Sequence, residues 1–174
     1  DGSLWVANAF GHSVALFDHE GTIRFEKIFA ADSFPYGLAI DEGRGKLYVS
    51  LWNKAAVAVI DIKSGEEVGR WATQEHPNEM LLTKDGKTLY VGSLDKKLYA
   101  LDVTDPANVN KSRVRWTYLA GDQIYSSSPA VAPDGTIYFG AFDGKLYAVT
   151  PSGAPKWGVP FDTGNGAQIF STPA

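Results

Sequence analysis

The chain has 174 residues, a formal net charge of -4 and no cysteine. The missing cysteine excludes disulfides, thiolate metal sites, iron–sulfur clusters and cysteine nucleophiles, and the acidic balance supplies no basic field for nucleic acid or an anionic membrane. Hydrophobic residues at 44% allow a sizeable core, while 13% aromatics, 18 glycines and 9 prolines point to many short strands joined by turns.

The chain opens on Asp1-Gly2-Ser3-Leu4-Trp5-Val6, with no basic region ahead of an apolar stretch, so no secretory signal is expected here. No apolar run anywhere is long enough to span a membrane. Strands are expected at residues 1–9, 13–18, 23–29 and 36–40. The pattern then returns at residues 45–52, 56–62, 68–73 and 78–82, again at 86–94, 97–103, 114–119 and 127–132, and a fourth time at 134–142, 145–151, 156–161 and 170–174. Most of these segments alternate apolar and polar residues with period two, bounded by Gly, Pro, Asp or Asn. Leu4, Leu47, Leu89 and Ile137 occupy matching positions, as do Trp5, Tyr48, Tyr90 and Tyr138.

Four short antiparallel strands in a unit of roughly 40–45 residues mark a β-propeller blade. The expected fold is therefore all-β: one propeller or half-propeller domain over residues 1–174, in blades of about 1–40, 41–83, 84–132 and 133–174. Extra residues in the third unit fall in the turn at 104–112, where an insertion costs least. Ser171-Thr172-Pro173-Ala174 matches Ser127-Ser128-Pro129-Ala130, so the last strand is expected to join the sheet begun at Asp1 and leave no free edge.

Residues 1–94 resemble the YVTN and NHL-like bacterial propeller repeats, as in GKLYVSLWNKAAVAVIDIKSG and KDGKTLYVGSL. Residues 95–174 resemble the PQQ-like quinoprotein repeat, as in SSPAVAPDGTIYFGAFDGKLYAVTPSG. That second family often shows Ala-x-Asp-x-x-Thr-Gly-x-x-x-Trp; Ala100, Asp102 and Trp116 match it around the insertion, and Ala148, Gly153 and Trp157 match it one residue short, with Thr150 in place of the aspartate. The resemblance implies a tryptophan docked between blades. The change of dialect near Leu94-Asp95 suggests a chimera of two propeller lineages as an alternative to a divergent natural protein. Both families resemble rings of seven or eight blades, and four-bladed rings often use a disulfide that this chain lacks. Two chains closing into one eight-bladed homodimer are therefore expected. If the chain is natural, the resemblance implies a periplasmic or secreted location.

No catalytic constellation emerges, and no cofactor or metal is expected. Quinoprotein dehydrogenase chemistry, the alternative implied by resemblance, uses a quinone over Ca²⁺ held by Glu, Asn and Asp. Asp162, Asn165 and Gln168 lie close together, but in a glycine-rich loop of ordinary composition. His12, His19 and His76 are read as surface or turn residues. Asp1, Asp41, Asp85, Asp95, Asp134 and Asp143 recur in turns, four of them followed by Gly, which suits tight hairpins better than paired-carboxylate catalysis. No Gly-x-Ser-x-Gly elbow is present. Ser127, Ser128, Ser171 and Thr172 are expected to line the channel, and Trp52 and Phe142 (with Tyr36) to face a ligand at its mouth. The expected function is a non-enzymatic scaffold or interaction module binding a small ligand, peptide or protein.

Overall fold

A computed structural model describes residues 2–105, 113–164 and 166–173. Most of the longer turn expected at 104–112 lies outside the described residues, as do Asp1, Asn165 and Ala174. The described residues hold fifteen strands in four antiparallel sheets, with no α-helix. The first sheet is β1 (Leu4–Asn8), β2 (Ser13–Phe17) and β3 (Ile23–Ile28). The second is β4 (Pro35–Asp41), β5 (Lys46–Leu51), β6 (Ala56–Asp61) and β7 (Glu67–Ala72). The third is β8 (Pro77–Leu82), β9 (Thr88–Ser93), β10 (Lys97–Asp102) and β11 (Val114–Leu119). The fourth is β12 (Ala130–Val131), β13 (Ile137–Gly140), β14 (Lys145–Val149) and β15 (Phe161–Asp162).

Each complete sheet starts with the strand that the sequence repeat places last. β4 pairs with β5 through Leu38↔Val49 and Asp41↔Lys46, because a short turn at 42–45 joins them. Hydrogen-bonded units therefore run 35–72 and 77–119, across the expected divisions at 40 and 83. The first sheet has three strands, without the C-terminal strand expected to complete it. That segment stays on the fourth sheet: Ile169 N donates to Ala141 O at 3.2 Å, and Ser128 N donates to Thr172 Oγ1 at 3.2 Å. Up to Ile169 the segment repeats the crossover that leads from the third sheet into the fourth: Ile169 lies over Gly140 as Ile124 lies over Gly92, and their amides donate to Ala141 O and Ser93 O.

Period two sorts the middle strands between neighbours. Leu47, Val49 and Leu51 of β5 with Ala58 and Ile60 of β6 join Val14 in the cluster beneath the first sheet. Tyr48, Val57 and Val59 face the other way and join Leu89, Val91, Tyr99 and Leu101. Tyr90, Leu98 and Ala100 then meet Ile137, Phe139 and Tyr147 of the fourth sheet. Strands buried on both faces carry nearly continuous apolar runs, as Lys46–Leu51 and Ala56–Asp61 do. Each fully buried Val, Leu or Ile contributes about 1.5–3 kcal/mol.

Aromatic side chains lock one sheet onto the next. Trp116 of β11 packs on Gly153 in the turn of the fourth sheet, and its Nε1 donates to Pro151 O at 2.9 Å. Phe25 of β3 packs on Gly65 of the second sheet in the same way. Both glycines have positive φ, +87° and +73°, so these turns need glycine for conformation as well as for space. Outer strands β3, β7 and β11 carry Arg24, Glu26, Arg70 and Arg115 in exposed positions, which guards their free edges.

Candidate ligand-binding face

The antiparallel order separates two ends. The turns within β4–β5, β6–β7 and β8–β9 lie at one end; the loops β3–β4, β5–β6, β7–β8 and their counterparts lie at the other. The first end is built from turns whose side chains bond to their own backbone. Asp85, Asp95, Asp134 and Asp143 all lie in turns, as their place in the repeat leads one to expect. Asp85 Oδ1 accepts Lys87 N and Asp134 Oδ1 accepts Thr136 N, at 3.0 and 2.9 Å. Asp95 and Asp143 accept Lys97 N and Lys145 N likewise, though they sit in loops at the opposite end. Asp41 is buried and holds Arg44 at 2.6 Å, whose Nη1 also donates to Gly86 O at 2.7 Å. This clasp lines an open cleft of about 640 Å³ between the two turns.

The second end is aromatic and conformationally strained. Among the described residues, six that are not glycine have positive φ: His12, Asp32, Phe34, Ala55, His76 and Lys96. All six lie in loops of this end, which also holds Gly144, Gly164 and Gly166 at positive φ; at the first end the described positive-φ residues are all glycines, among them Gly21, Gly45, Gly65, Gly86, Gly135 and Gly153. A side chain kept in the left-handed region costs of order 1–3 kcal/mol, and such residues concentrate at ligand sites. Phe34 and His76 are both followed by proline, at the entrance to innermost strands β4 and β8.

Two ring clusters form here. In the first, His12 meets Phe34 at 5.4 Å, Phe10 meets Phe34 at 5.2 Å and Phe34 meets Trp52 at 6.3 Å. His76 stacks on Trp52 at 3.8 Å and 21°, with its Nδ1 3.0 Å from Trp52 O. Trp52 Nε1 and His12 Nδ1 are buried without a hydrogen-bond partner. In the second, Phe142 lies between Tyr125, at 5.6 Å, and Phe170, at 4.9 Å, and Tyr36 meets Tyr125 at 6.4 Å. Aromatic pairs of this kind are worth about 0.5–1.5 kcal/mol beyond their buried area. Phe10 remains 86% exposed and Phe170 53%, so both clusters reach solvent.

Trp52 and Phe142 thus sit at equivalent loop positions on this end, together with Phe10. The hydroxyl residues separate. Ser127 is fully buried, and its Oγ accepts Gly140 N at 3.0 Å, which leaves it no surface to offer a ligand. Ser128 is half-buried beside Thr172, while Ser171 and Thr172 are exposed. His19 is exposed, and its Nε2 lies 3.9 Å from Glu20. Asp162 Oδ1 caps its own turn by accepting Gly164 N at 2.7 Å. Among the described residues, no three His, Cys, Asp or Glu side chains come together in a way that could hold a metal.

Two features escape a reading by sequence. His12 and His76 belong to one ring cluster, although they are far apart in the chain; the repeated aromatic-or-His before Pro35 and Pro77 was the available signal. Glu79, on β8, is half-buried, and burial pushes its carboxyl above the usual glutamate value. Its place at a β-bulge is visible only in the register, which shifts between Pro77 and Met80.

No protein-family model matches the chain. Uncharacterized protein YncE of Salmonella typhi is 32% identical over 107 residues, covering 57% of this chain and 30% of that protein, and YncE of Salmonella typhimurium matches to the same extent. That stretch is longer than either part divided at Leu94-Asp95, so the similarity crosses the change of dialect. Among solved structures, the hydrazine synthase of Kuenenia stuttgartiensis superposes with a TM-score of 0.76 at 20% identity, over 92% of this chain and 46% of that one. A catalytically inactive virginiamycin B lyase from Staphylococcus aureus with quinupristin gives 0.76 at 16% identity, over 100% and 57%. A streptogramin B lyase gives 0.74 at 15%, over 98% and 54%. The chain thus spans about half of those structures and less than a third of the curated relatives. Its fold is all-β and propeller-like, with YVTN-like repeats.

Proposed function

We propose that the chain is a non-enzymatic propeller module that binds a small ligand or peptide on its aromatic loop face. The observation that carries this reading is the confinement of all six positive-φ non-glycine residues to that face, around Phe34, Trp52 and His76. Among the described residues the turns of the opposite end reach positive φ only through glycine, whereas the loop face keeps side chains at six such positions. The test is a screen of short aromatic and basic peptides by amide NMR. Binding is expected to move resonances around Trp52 and Phe142, and W52A and F142A are expected to weaken it. Shifts confined to the opposite turns would sink the proposal.

Assembly of two chains into an eight-bladed ring belongs to the same reading. Exposed Leu4, Val6 and Ile28 on the first sheet and Val159 and Phe161 on the last support it. Sedimentation equilibrium returning the mass of a single chain at all concentrations would refute it. A chimeric origin and the alternative of a PQQ-dependent quinoprotein fragment rest on the repeat resemblance alone.

A further inference from the structure

We infer that the inner corner of the loop face, formed by Tyr36, Asn78, Glu79, Tyr125 and Ser126, binds an organic cation, an ammonium or guanidinium group, with Glu79 as its counter-charge. This rests on the loop end being the binding face, and adds the chemistry of the ligand.

Charge pairing carries the inference. Among the described residues every other carboxylate that is not exposed faces a basic side chain. Asp41 faces Arg44, Asp61 faces Lys46 and Asp95 faces Lys97. Asp18 faces Arg24, Glu67 faces Arg70 and Asp102 faces Arg115. Asp122 faces Lys96, and Asp143 faces Lys145. Glu79 is half-buried and has no hydrogen-bond or ion-pair partner among these residues. Its neighbour Asn78 is fully buried; Nδ2 donates to Ile124 O at 2.9 Å, and Oδ1 has no partner. Two successive residues of β8 therefore each carry an acceptor without a donor, a pattern that complements a group made only of N–H donors.

The surroundings fit the same ligand. Innermost strands β4 and β8 run against each other, with Gly37 directly beside the backbone of Asn78 and Glu79. Both strands carry a bulge there, between Pro35 and Leu38 and between Pro77 and Met80. Bulges re-aim side chains next to binding sites. From β4, Tyr36 reaches across β8 to the far loop, its hydroxyl 3.5 Å from Ser126 Oγ and its ring beside Tyr125. Strand β8, which carries Glu79, thus passes between Tyr36 and Tyr125, and tyrosine rings attract cations.

The experiment titrates the protein with benzylammonium and with neutral benzyl alcohol, following the Asn78 side-chain amide and the Glu79 backbone amide by NMR. Benzylammonium is expected to saturate these shifts with an affinity about ten-fold above benzyl alcohol, as a charge-assisted contact would give. E79Q, which keeps shape and removes charge, is expected to bring the two ligands together. Equal affinities for the wild-type protein, or a preference surviving in E79Q, would overturn the inference; the wild-type comparison stands whether or not the variant folds. Shifts near Trp52 with both compounds, without preference, would leave the loop-face reading intact and refute the cation site alone. No shift at this end with either compound would remove both.

Discussion

Gly37→Ala tests the contact on which the loop face depends. A Cβ at Gly37 would lie 2.5 Å from Asn78 O and 3.2 Å from both Glu79 Cα and Ser50 Oγ. The nearest obstacle is backbone, so no rotamer change relieves it. Strand β8 must retreat from β4 by roughly 0.5 Å, in an interior that is close-packed. Overpacking of this kind costs about 1–3 kcal/mol. For a chain of this size, each kcal/mol lowers Tm by about 2–4 °C, so G37A is expected to melt roughly 2–12 °C below wild type. Gly158→Ala is the control: nothing lies within 4 Å of its Cβ position. That variant is expected to be neutral or stabilised by up to about 1 kcal/mol. Scanning calorimetry on both decides. If G37A melts with the wild-type protein, the close approach of β4 and β8 is wrong, and the cation site built on it falls too.

Phe139→Ala removes a fully buried ring stacked on Tyr147 at 5.1 Å, and is expected to cost about 3–5 kcal/mol by chemical denaturation. Asp61 is held at about 2, chiefly by its hydrogen bond from Lys46, and Asp134 at about 2, chiefly by the Thr136 amide. Their folded pKa values lie below the unfolded 3.8, so their contribution is present above that pH and is lost as pH falls towards 2; Asp61→Asn is expected to flatten that part of the acid-unfolding curve. Glu79 has the opposite sign: burial raises its folded pKa, so its contribution declines as pH rises through that value. Glu79→Gln is therefore expected to be more stable than wild type at neutral pH and to lose that advantage in acid, as urea titrations at two pH values would show.

Propeller-like repetition was legible from residues alone. The recurrence of Leu-Tyr-Val and Leu-Tyr-Ala runs between Asp-Gly turns places the strands of the second and third sheets to within a residue or two, because period two and turn chemistry act locally. The fourth sheet was less legible. The strand expected at 156–161 pairs with β14 only at its two ends: Pro155 bridges Val149 and Lys156 N donates to Ala148 O, and the ladder resumes at Phe161–Asp162. Trp52 and Phe142 could be named because each stands at the same point of its repeat, just after a strand.

Amino-acid order by itself determined the strand count per unit, the turns and the alternating faces, all properties set by neighbours a few residues apart. Tertiary structure alone decided where the terminal segment lies: Ile169 packs over Gly140 and Thr172 meets Ser128, and among the described residues no strand from it joins β1. It alone brought His12 and His76 into one ring cluster, and left Glu79 as the half-buried acid without a base among the described residues. Those outcomes depend on which sheets meet and at what distance, and no local pattern encodes that.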